Sequence, residues 1–273
     1  MAKDRIRESF AAISNEGKAG LIVFLTAGFP DREATLELVP ALVEAGADAV
    51  ELGVPFSDPL AEGPTIQQSS FLAVQQQVSL ADCLGMVEQL RDKVPDTPLV
   101  LMGYYNPIFN YGLVKFAQEA QRVGVDGIIA VDLPHVESAP LAEQCRAKGV
   151  HIIPLLAPTS TDDSIRTACA EAGGFVYCMS VTGVTGARDN VSGRGFELVD
   201  RVRAHTSLPL VVGFGISSRE HVEEVCQKAE AAAVGSALVQ VMLESPRDQL
   251  VRRASRFVAE LAGKQVAAAG GSG

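Results

Sequence analysis

The sequence predicts an α/β protein that folds as one (β/α)8 TIM barrel, a closed parallel sheet of eight strands surrounded by helices. Three observations support this: eight short apolar runs, helical patterns between them, and glycines at the joints. Apolar runs without polar alternation are typical of strands that are buried on both faces of a parallel sheet. The runs are residues 21–27, 48–54, 98–105, 126–133, 151–157, 175–181, 209–214 and 231–235.

Helical patterns separate these runs. Ser79 with Asp82, and Ser217 with Glu220, have the spacing of a capping box, which predicts that a helix begins after each serine. Another apolar stripe contains Pro40, which predicts a kink or an early end of that helix, because proline has no N–H to donate.

Glycines follow several of the helical patterns and precede the next apolar run. In a left-handed conformation a glycine ends a helix and turns the chain into a strand. Repetition of this unit favours a closed barrel. The alternative is an open, doubly wound sheet, but no G-x-G-x-x-G pattern follows the first run. The glycines are Gly46, Gly124, Gly149 and Gly173.

Composition and length predict one barrel domain, residues 1–265, followed by a disordered Ala/Gly/Ser tail, residues 266–273. The net charge of −10 without a basic patch disfavours nucleic acids and anionic membranes as partners. We expect no secretory signal and no membrane span, because the N-terminus is charged and no apolar stretch is long enough. The five cysteines and four histidines lack metal-site spacing, so no metal is expected.

Glu51 lies within the second apolar run. Side chains alternate between the faces of a strand, so one parity of this run points into the barrel. A lone carboxylate in a dry interior is costly, and desolvation raises its pKa toward neutrality, which suits general acid–base catalysis. The alternative is that Glu51 pairs with a structural cation.

The loop after this run carries two further acids, Asp58 and Glu62, among three prolines and a glycine. A stiff loop at the carboxyl end of a barrel strand is commonly functional. Acids in different environments could divide the acid and base roles. The alternative is that both are solvated loop residues.

Glycine-containing joints follow the sixth, seventh and eighth runs, at residues 180–187, 213–218 and 235–236. Exposed backbone N–H groups and helix N-termini bind anions without Lys or Arg. Barrels often bind a phosphate at this position, so the joints predict a phosphate site.

The stretch at residues 51–67, ELGVPFSDPLAEGPTIQ, resembles the signature of the tryptophan synthase alpha subunit family. Residues 183–186 and 213–218 are similar to the phosphate loops of that family, and the similarity in pattern runs from about residue 5 to 260. The resemblance implies a carbon–carbon lyase of the aldolase type. It would cleave indole-3-glycerol phosphate to indole and glyceraldehyde 3-phosphate in tryptophan biosynthesis, with no cofactor.

The resemblance also implies the roles of individual residues. Glu51 takes the place of the catalytic glutamate, Tyr177 that of a tyrosine near it, and Glu62 that of an aspartate that bonds the indole N–H. The indole pocket would be lined by Phe24, Ile66, Tyr104, Ile129, Thr185 and Phe214. The phosphate would be bound by Gly186, Gly215, Gly235 and Ser236.

Glu62 is a departure from the family pattern, because glutamate is one methylene longer than aspartate. It keeps open a catalytically weak subunit that mainly activates a beta subunit dependent on pyridoxal phosphate. A further alternative is another phosphate-handling barrel, such as a sugar-phosphate isomerase.

The family implies a beta-subunit partner in an alpha-beta-beta-alpha heterotetramer, with pyridoxal phosphate bound only by the partner. The interface would include Asp58, Asn106, Asp132 and Pro134. A cytoplasmic location is expected, or the plastid stroma if the source is a plant or an alga.

Overall fold

The eight predicted runs become nine strands in the described residues, because the fifth run is interrupted. The computed structural model describes residues 3–179, 194–213 and 215–264. The strands are β1 Gly20–Thr26, β2 Ala49–Gly53, β3 Leu99–Gly103, β4 Gly127–Ala130, β5 His151–Ile152, β6 Leu155–Leu156, β7 Val176–Met179, β8 Leu210–Gly213 and β9 Ala231–Val234. All neighbouring strands pair in parallel, in the order β5-β4-β3-β2-β1-β9-β8-β7-β6.

The interrupted run closes the barrel. β5 pairs with β4, and β6 pairs with β7, so one short stretch of chain joins both edges of the sheet. Between the two strands, Ile153 N–H donates to Ile128 O at 2.9 Å and Pro154 O accepts Tyr177 N–H at 3.0 Å. Pro154 has no N–H, so the ladder cannot run unbroken through this position. The predicted (β/α)8 barrel is confirmed.

Helices surround the barrel, and the first of them, α1 (Arg5–Glu16), covers its N-terminal end, where Phe10 packs on Phe175 with ring centroids 5.7 Å apart. None of the described helices is long and apolar enough to cross a membrane. A 3-10 turn spans His135–Glu137. The helices are α1 Arg5–Glu16, α2 Arg32–Ala45, α3 Pro64–Gln75, α4 Leu80–Lys93, α5 Tyr105–Tyr111, α6 Leu113–Val123, α7 Ala139–Arg146, α8 Asp162–Glu171, α9 Arg194–Arg203, α10 Arg219–Val225, α11 Ser236–Leu243 and α12 Leu250–Leu261.

One of the two predicted capping boxes is confirmed. Ser79 and Asp82 bond each other's backbone N–H at the start of α4. The second was placed one residue too early, because Ser218, not Ser217, is the N-cap of α10 and accepts the N–H of His221 at 3.3 Å. Ser217 instead lies in the turn before the helix.

Pro40 does not end α2, which continues to Ala45. The proline leaves the carbonyl of Leu36, four residues earlier, without its helical donor. Lys93 of the neighbouring helix α4 supplies one, with its Nζ 3.0 Å from Leu36 O.

Three of the four predicted joint glycines, Gly46, Gly124 and Gly149, have positive φ. The prediction for Gly173 was wrong by one position, because Gly174 has the positive φ, of 75°. The predicted tail, residues 266–273, lies outside the described residues.

The strands alternate between two apolar clusters. One parity packs against the helices, including Val50 and Leu52 of β2. The other faces the barrel interior, including Phe24 and Met102. Glu51 has the interior parity, opposite Phe24 and Val100 on the adjacent strands.

Candidate active site

Glu51 is a carboxyl group inside an apolar barrel. The residue is only 1% exposed, and its Oε1 has no hydrogen-bond partner among the described residues. Burial, followed by the negative charge of Glu62, raises the pKa of Glu51 to about 8. The group therefore holds a proton at neutral pH and can donate it and take it back.

Glu62 approaches from the loop between β2 and α3. The residue is half-buried, and burial raises the pKa of its carboxyl to about 7. Glu51 and Glu62 both line one cavity of about 220 Å³. Two acids with different pKa values at one cavity are suited to different protonation states in the same reaction.

The loop that carries Glu62 is attached to the barrel at two points. Ser70 bonds both backbone groups of Phe56, at 3.0 Å from its N–H and 2.9 Å to its carbonyl. Tyr104 stacks on the Phe56 ring with centroids 4.7 Å apart, and its hydroxyl accepts the Ala61 N–H at 2.9 Å. The loop is thus fixed on either side of the exposed residues at its tip.

Tyr177, on β7, lines the same cavity and is 5% exposed. Burial, and then the charges of Glu51 and Glu62, hold the pKa of Tyr177 well above its usual value, so the phenol remains neutral. Its ring lies against Gly213 of β8, where a Cβ would overlap the Tyr177 hydroxyl. The absence of a side chain at Gly213 therefore leaves the space that the Tyr177 hydroxyl occupies.

Apolar side chains form most of the cavity wall. Phe24, Ile66, Met102 and Ala233 line it beside the two acids. A planar apolar ring would pack well against such a wall. The buried carboxyls of Glu51 and Glu62 supply polar groups to an otherwise apolar cavity.

Two glycine-containing segments also line the cavity. Gly215, with φ of 75°, and Ser217 line it together with Gly235 and Ser236 at the start of α11. In the described part of the chain no side chain caps the N-terminus of α11, and no Lys or Arg lines the cavity. Uncapped N–H groups at a helix N-terminus favour an anion.

A sequence model of the family described as "Tryptophan synthase alpha chain" matches residues 10–267. The chain belongs to this family.

Known tryptophan synthase alpha chains are similar over nearly their whole length. The alpha chain of Roseiflexus castenholzii is 46% identical over 259 residues, which cover 95% of this chain and 99% of that one. That of Geobacter sulfurreducens is 45% identical over 257 residues, 94% and 97% of the two chains.

Solved structures give the same result. The alpha chain from Legionella pneumophila superposes with a TM-score of 0.86 at 32% identity, covering 96% of this chain and 97% of that one. The open form of tryptophan synthase from Mycobacterium tuberculosis gives 0.86 at 32% identity, covering 96% and 98%.

Eight of the thirteen residues that the resemblance assigned to catalysis, the indole pocket or the phosphate site line the same cavity. The eight are Phe24, Glu51, Glu62, Ile66, Tyr177, Gly215, Gly235 and Ser236. Thr185, Gly186 and Phe214 lie outside the described residues.

Two predicted indole-pocket residues, Ile129 and Tyr104, are not among the described residues that line this cavity. Ile129 is 0% exposed in the interior cluster, and the described cavity wall has Met102, its register partner on β3, instead. Tyr104 lines a small adjoining recess with Phe24, Ile66 and Glu62. Its hydroxyl faces the loop, through the bond to Ala61.

Sequence reasoning missed Met102 and Ala233 as cavity residues. Both have interior parity near the carboxyl ends of their strands. Extending the parity argument made for Glu51 to the neighbouring strands could have found them.

The four predicted interface residues lie outside the cavity, and all are exposed. Asp132 Oδ1 accepts the Tyr105 N–H at the start of α5, at 2.7 Å. The four are Asp58, Asn106, Asp132 and Pro134.

Proposed function

We propose that the chain cleaves indole-3-glycerol phosphate into indole and glyceraldehyde 3-phosphate, as the alpha subunit of a tryptophan synthase. The observation that carries this proposal is Glu51, a buried and protonated carboxyl at an apolar cavity whose wall also includes the uncapped start of α11. Family membership supplies the substrate, and the cavity accounts for its two halves, an aromatic ring and a phosphate.

The reaction is a retro-aldol cleavage. Glu51 donates its proton to indole C3, and the resulting carboxylate takes the proton of the glycerol hydroxyl next to the scissile bond. The carbon–carbon bond then breaks, its electron pair returns to the indole ring, and the oxygen that lost the proton becomes the aldehyde carbonyl. Glu51 ends the cycle protonated, as it began.

Glu62 acts in the opposite protonation state. Protonation of C3 places positive charge on the ring nitrogen, and a carboxylate that accepts the indole N–H stabilises that charge. The lower pKa of Glu62, about 7 against about 8 for Glu51, favours ionised Glu62 beside protonated Glu51. Tyr177 packs beside both acids as a neutral phenol.

The phosphate binds where Gly215 and the start of α11 line the cavity. Gly215, Gly235 and Ser236 offer N–H groups there, and we propose that Gly186 completes the set. The chain needs no metal or cofactor for these steps, since both protons move through Glu51.

A beta subunit is the proposed partner, in an alpha-beta-beta-alpha complex in the cytoplasm, with pyridoxal phosphate bound only by that subunit. Support comes from large apolar side chains that stand exposed within three positions of predicted interface residues. Leu60 is 88% exposed, Phe109 60% and Val136 69%, and a partner that covered these side chains would gain from burying apolar surface.

A steady-state assay of indole release by the isolated chain, with and without a beta subunit, tests the function. We expect turnover alone and faster turnover with the partner. Stimulation of the partner without any cleavage would favour the weak, activating subunit instead, and Glu62→Asp should then restore cleavage. The Glu62 carboxyl lines the cavity, which favours the lyase. Turnover of an open-chain sugar phosphate in place of the indole substrate would favour an isomerase.

A further inference from the structure

Tyr104 connects the barrel to the loop that carries Glu62. It follows the last residue of β3, is 7% exposed, and its backbone is the N-cap of α5. Its ring stacks on Phe56 near the start of the loop. Its hydroxyl accepts the Ala61 N–H near the end of the loop, at 2.9 Å.

The bond to Ala61 lies one residue before Glu62. The backbone of Glu62 is held as well, because its N–H donates to Pro59 O at 3.0 Å and its carbonyl accepts Gln67 Nε2 at 2.9 Å. Among these hydrogen-bonding residues, Tyr104 directly follows a barrel strand, β3. It therefore fixes the loop relative to that strand.

The surroundings of Tyr104 place it beside Glu62 rather than in the main cavity. The described residues that line the cavity do not include Tyr104, whereas Tyr104 and Glu62 share the adjoining recess of about 20 Å³. Burial raises the pKa of Tyr104, and the charges of Glu62 and Asp132 add to that rise against the opposing bond from Ala61.

We propose that Tyr104 is a positioning residue, whose hydroxyl holds the loop through Ala61 so that the Glu62 carboxyl stays in the cavity. The catalytic consequence rests on the proposed function. A residue that only lined the indole pocket would act through its ring. Removing the hydroxyl while keeping the ring therefore distinguishes a positioning role from a pocket-lining role.

The test is Tyr104→Phe, which keeps the ring and its stacking on Phe56 and removes the hydroxyl alone. Loss of one hydrogen bond that orients a catalytic group should lower kcat by about threefold to tenfold, with KM changed by less than about twofold. Tyr105→Phe is the matched control. Its hydroxyl has no hydrogen bond in the described part of the chain, so both constants should stay within about twofold of wild type.

Amide hydrogen exchange at Ala61, measured by NMR without substrate, reports the tether independently of catalysis. We expect exchange at Ala61 to be faster by about threefold or more in Tyr104→Phe and unchanged in Tyr105→Phe. Faster exchange with unaltered kcat would overturn the positioning role. So would unaltered exchange, or a raised KM at constant kcat, since the hydroxyl would then touch the substrate. If wild type shows no cleavage, the proposed function fails, and the exchange experiment still decides whether the tether exists.

Discussion

Asp126 and Leu99 are joined by two hydrogen bonds at the N-terminal end of the barrel. The Asp126 N–H donates to Leu99 O at 2.9 Å, and its Oδ2 accepts the Leu99 N–H at 2.8 Å. One acid thus satisfies both backbone groups of the residue that begins β3. The same two-bond arrangement joins Asp48 to Leu21 and Glu230 to Leu210.

Replacing Asp126 should destabilise the barrel. Its side chain is 6% exposed and also bonds Arg5 at 3.0 Å and Arg91 at 2.8 Å. Asp126→Asn removes the charge that both cations face, so we expect the free energy of unfolding to fall by about 3 kcal/mol. Urea unfolding measures this.

The control for Asp126 is Asp163→Asn. Asp163 pairs with Arg166 at 3.1 Å, but their side chains are 90% and 65% exposed. We expect a loss below about 1 kcal/mol there. Equal losses in the two variants would show that the buried ion cluster contributes nothing beyond a surface pair.

Glu51→Gln should nearly abolish cleavage. The amide keeps the size of the side chain but cannot donate and recover a proton, and general acid–base catalysis contributes on the order of 100-fold to 10,000-fold. KM should stay within a few-fold, because the wall and the proposed phosphate site are untouched. Glu33→Gln, at an exposed position on α2, is the control. Turnover near wild type in Glu51→Gln would remove Glu51 from the mechanism.

Glu51 should also make the protein less stable as pH rises. Its pKa is about 8 in the folded state, above about 4.3 in an unfolded chain. Between those values the folded state holds a proton that the unfolded state has lost, so raising the pH lowers the free energy of unfolding. The stability is fully present below about pH 4.3 and is lost as pH approaches 8.

Glu51→Gln isolates this effect, because the amide does not titrate. We expect the free energy of unfolding of the variant, relative to that of wild type, to be higher at pH 8.5 than at pH 5.5, on the order of a few kcal/mol. Urea unfolding at the two pH values measures this. Glu62, with its pKa of about 7, has the same sign and remains in both proteins. A constant difference between the two proteins at both pH values would contradict the raised pKa.

Gly215→Ala should raise KM. Gly215 has φ of 75° and lines the cavity at the proposed phosphate site, so a side chain there is strained and also approaches the phosphate. Gly17→Ala is matched for strain, with φ of 62° and no described atom within 4 Å of the added Cβ. Both variants should lose about 1 kcal/mol of stability. A KM that moves equally in both would count against a phosphate site at Gly215.

The barrel could be predicted from the sequence because eight apolar runs are a local signal. The interruption of the fifth run could not, since it depends on how β4 and β7 approach Pro154 from either side. The capping error at Ser217 has a similar cause. Two adjacent serines have almost the same spacing to an acid, and the turn after β8 decides which one caps the helix.

The candidate site was predictable where parity fixes a side chain. Glu51 faces inward because residues alternate along a strand, and burial then raises its pKa. Ile129 shares the interior parity with its register partner Met102, but Met102 lines the described cavity and Ile129 does not, because parity gives the face of a strand and not the position of the cavity. The bond from Ala61 to Tyr104 joins positions 43 residues apart, and no local pattern encodes it.

The close packing of Tyr177 on Gly213 bears on which substituted indoles this protein could be engineered to accept. Even the Cβ of an alanine at 213 would overlap the phenol hydroxyl. The Tyr177 ring would then have to shift, which would reduce the cavity volume available to a substrate. We therefore expect variants selected for bulkier substrates to retain glycine at 213 and to shorten Met102 or Ile66, which are apolar side chains of the same cavity wall.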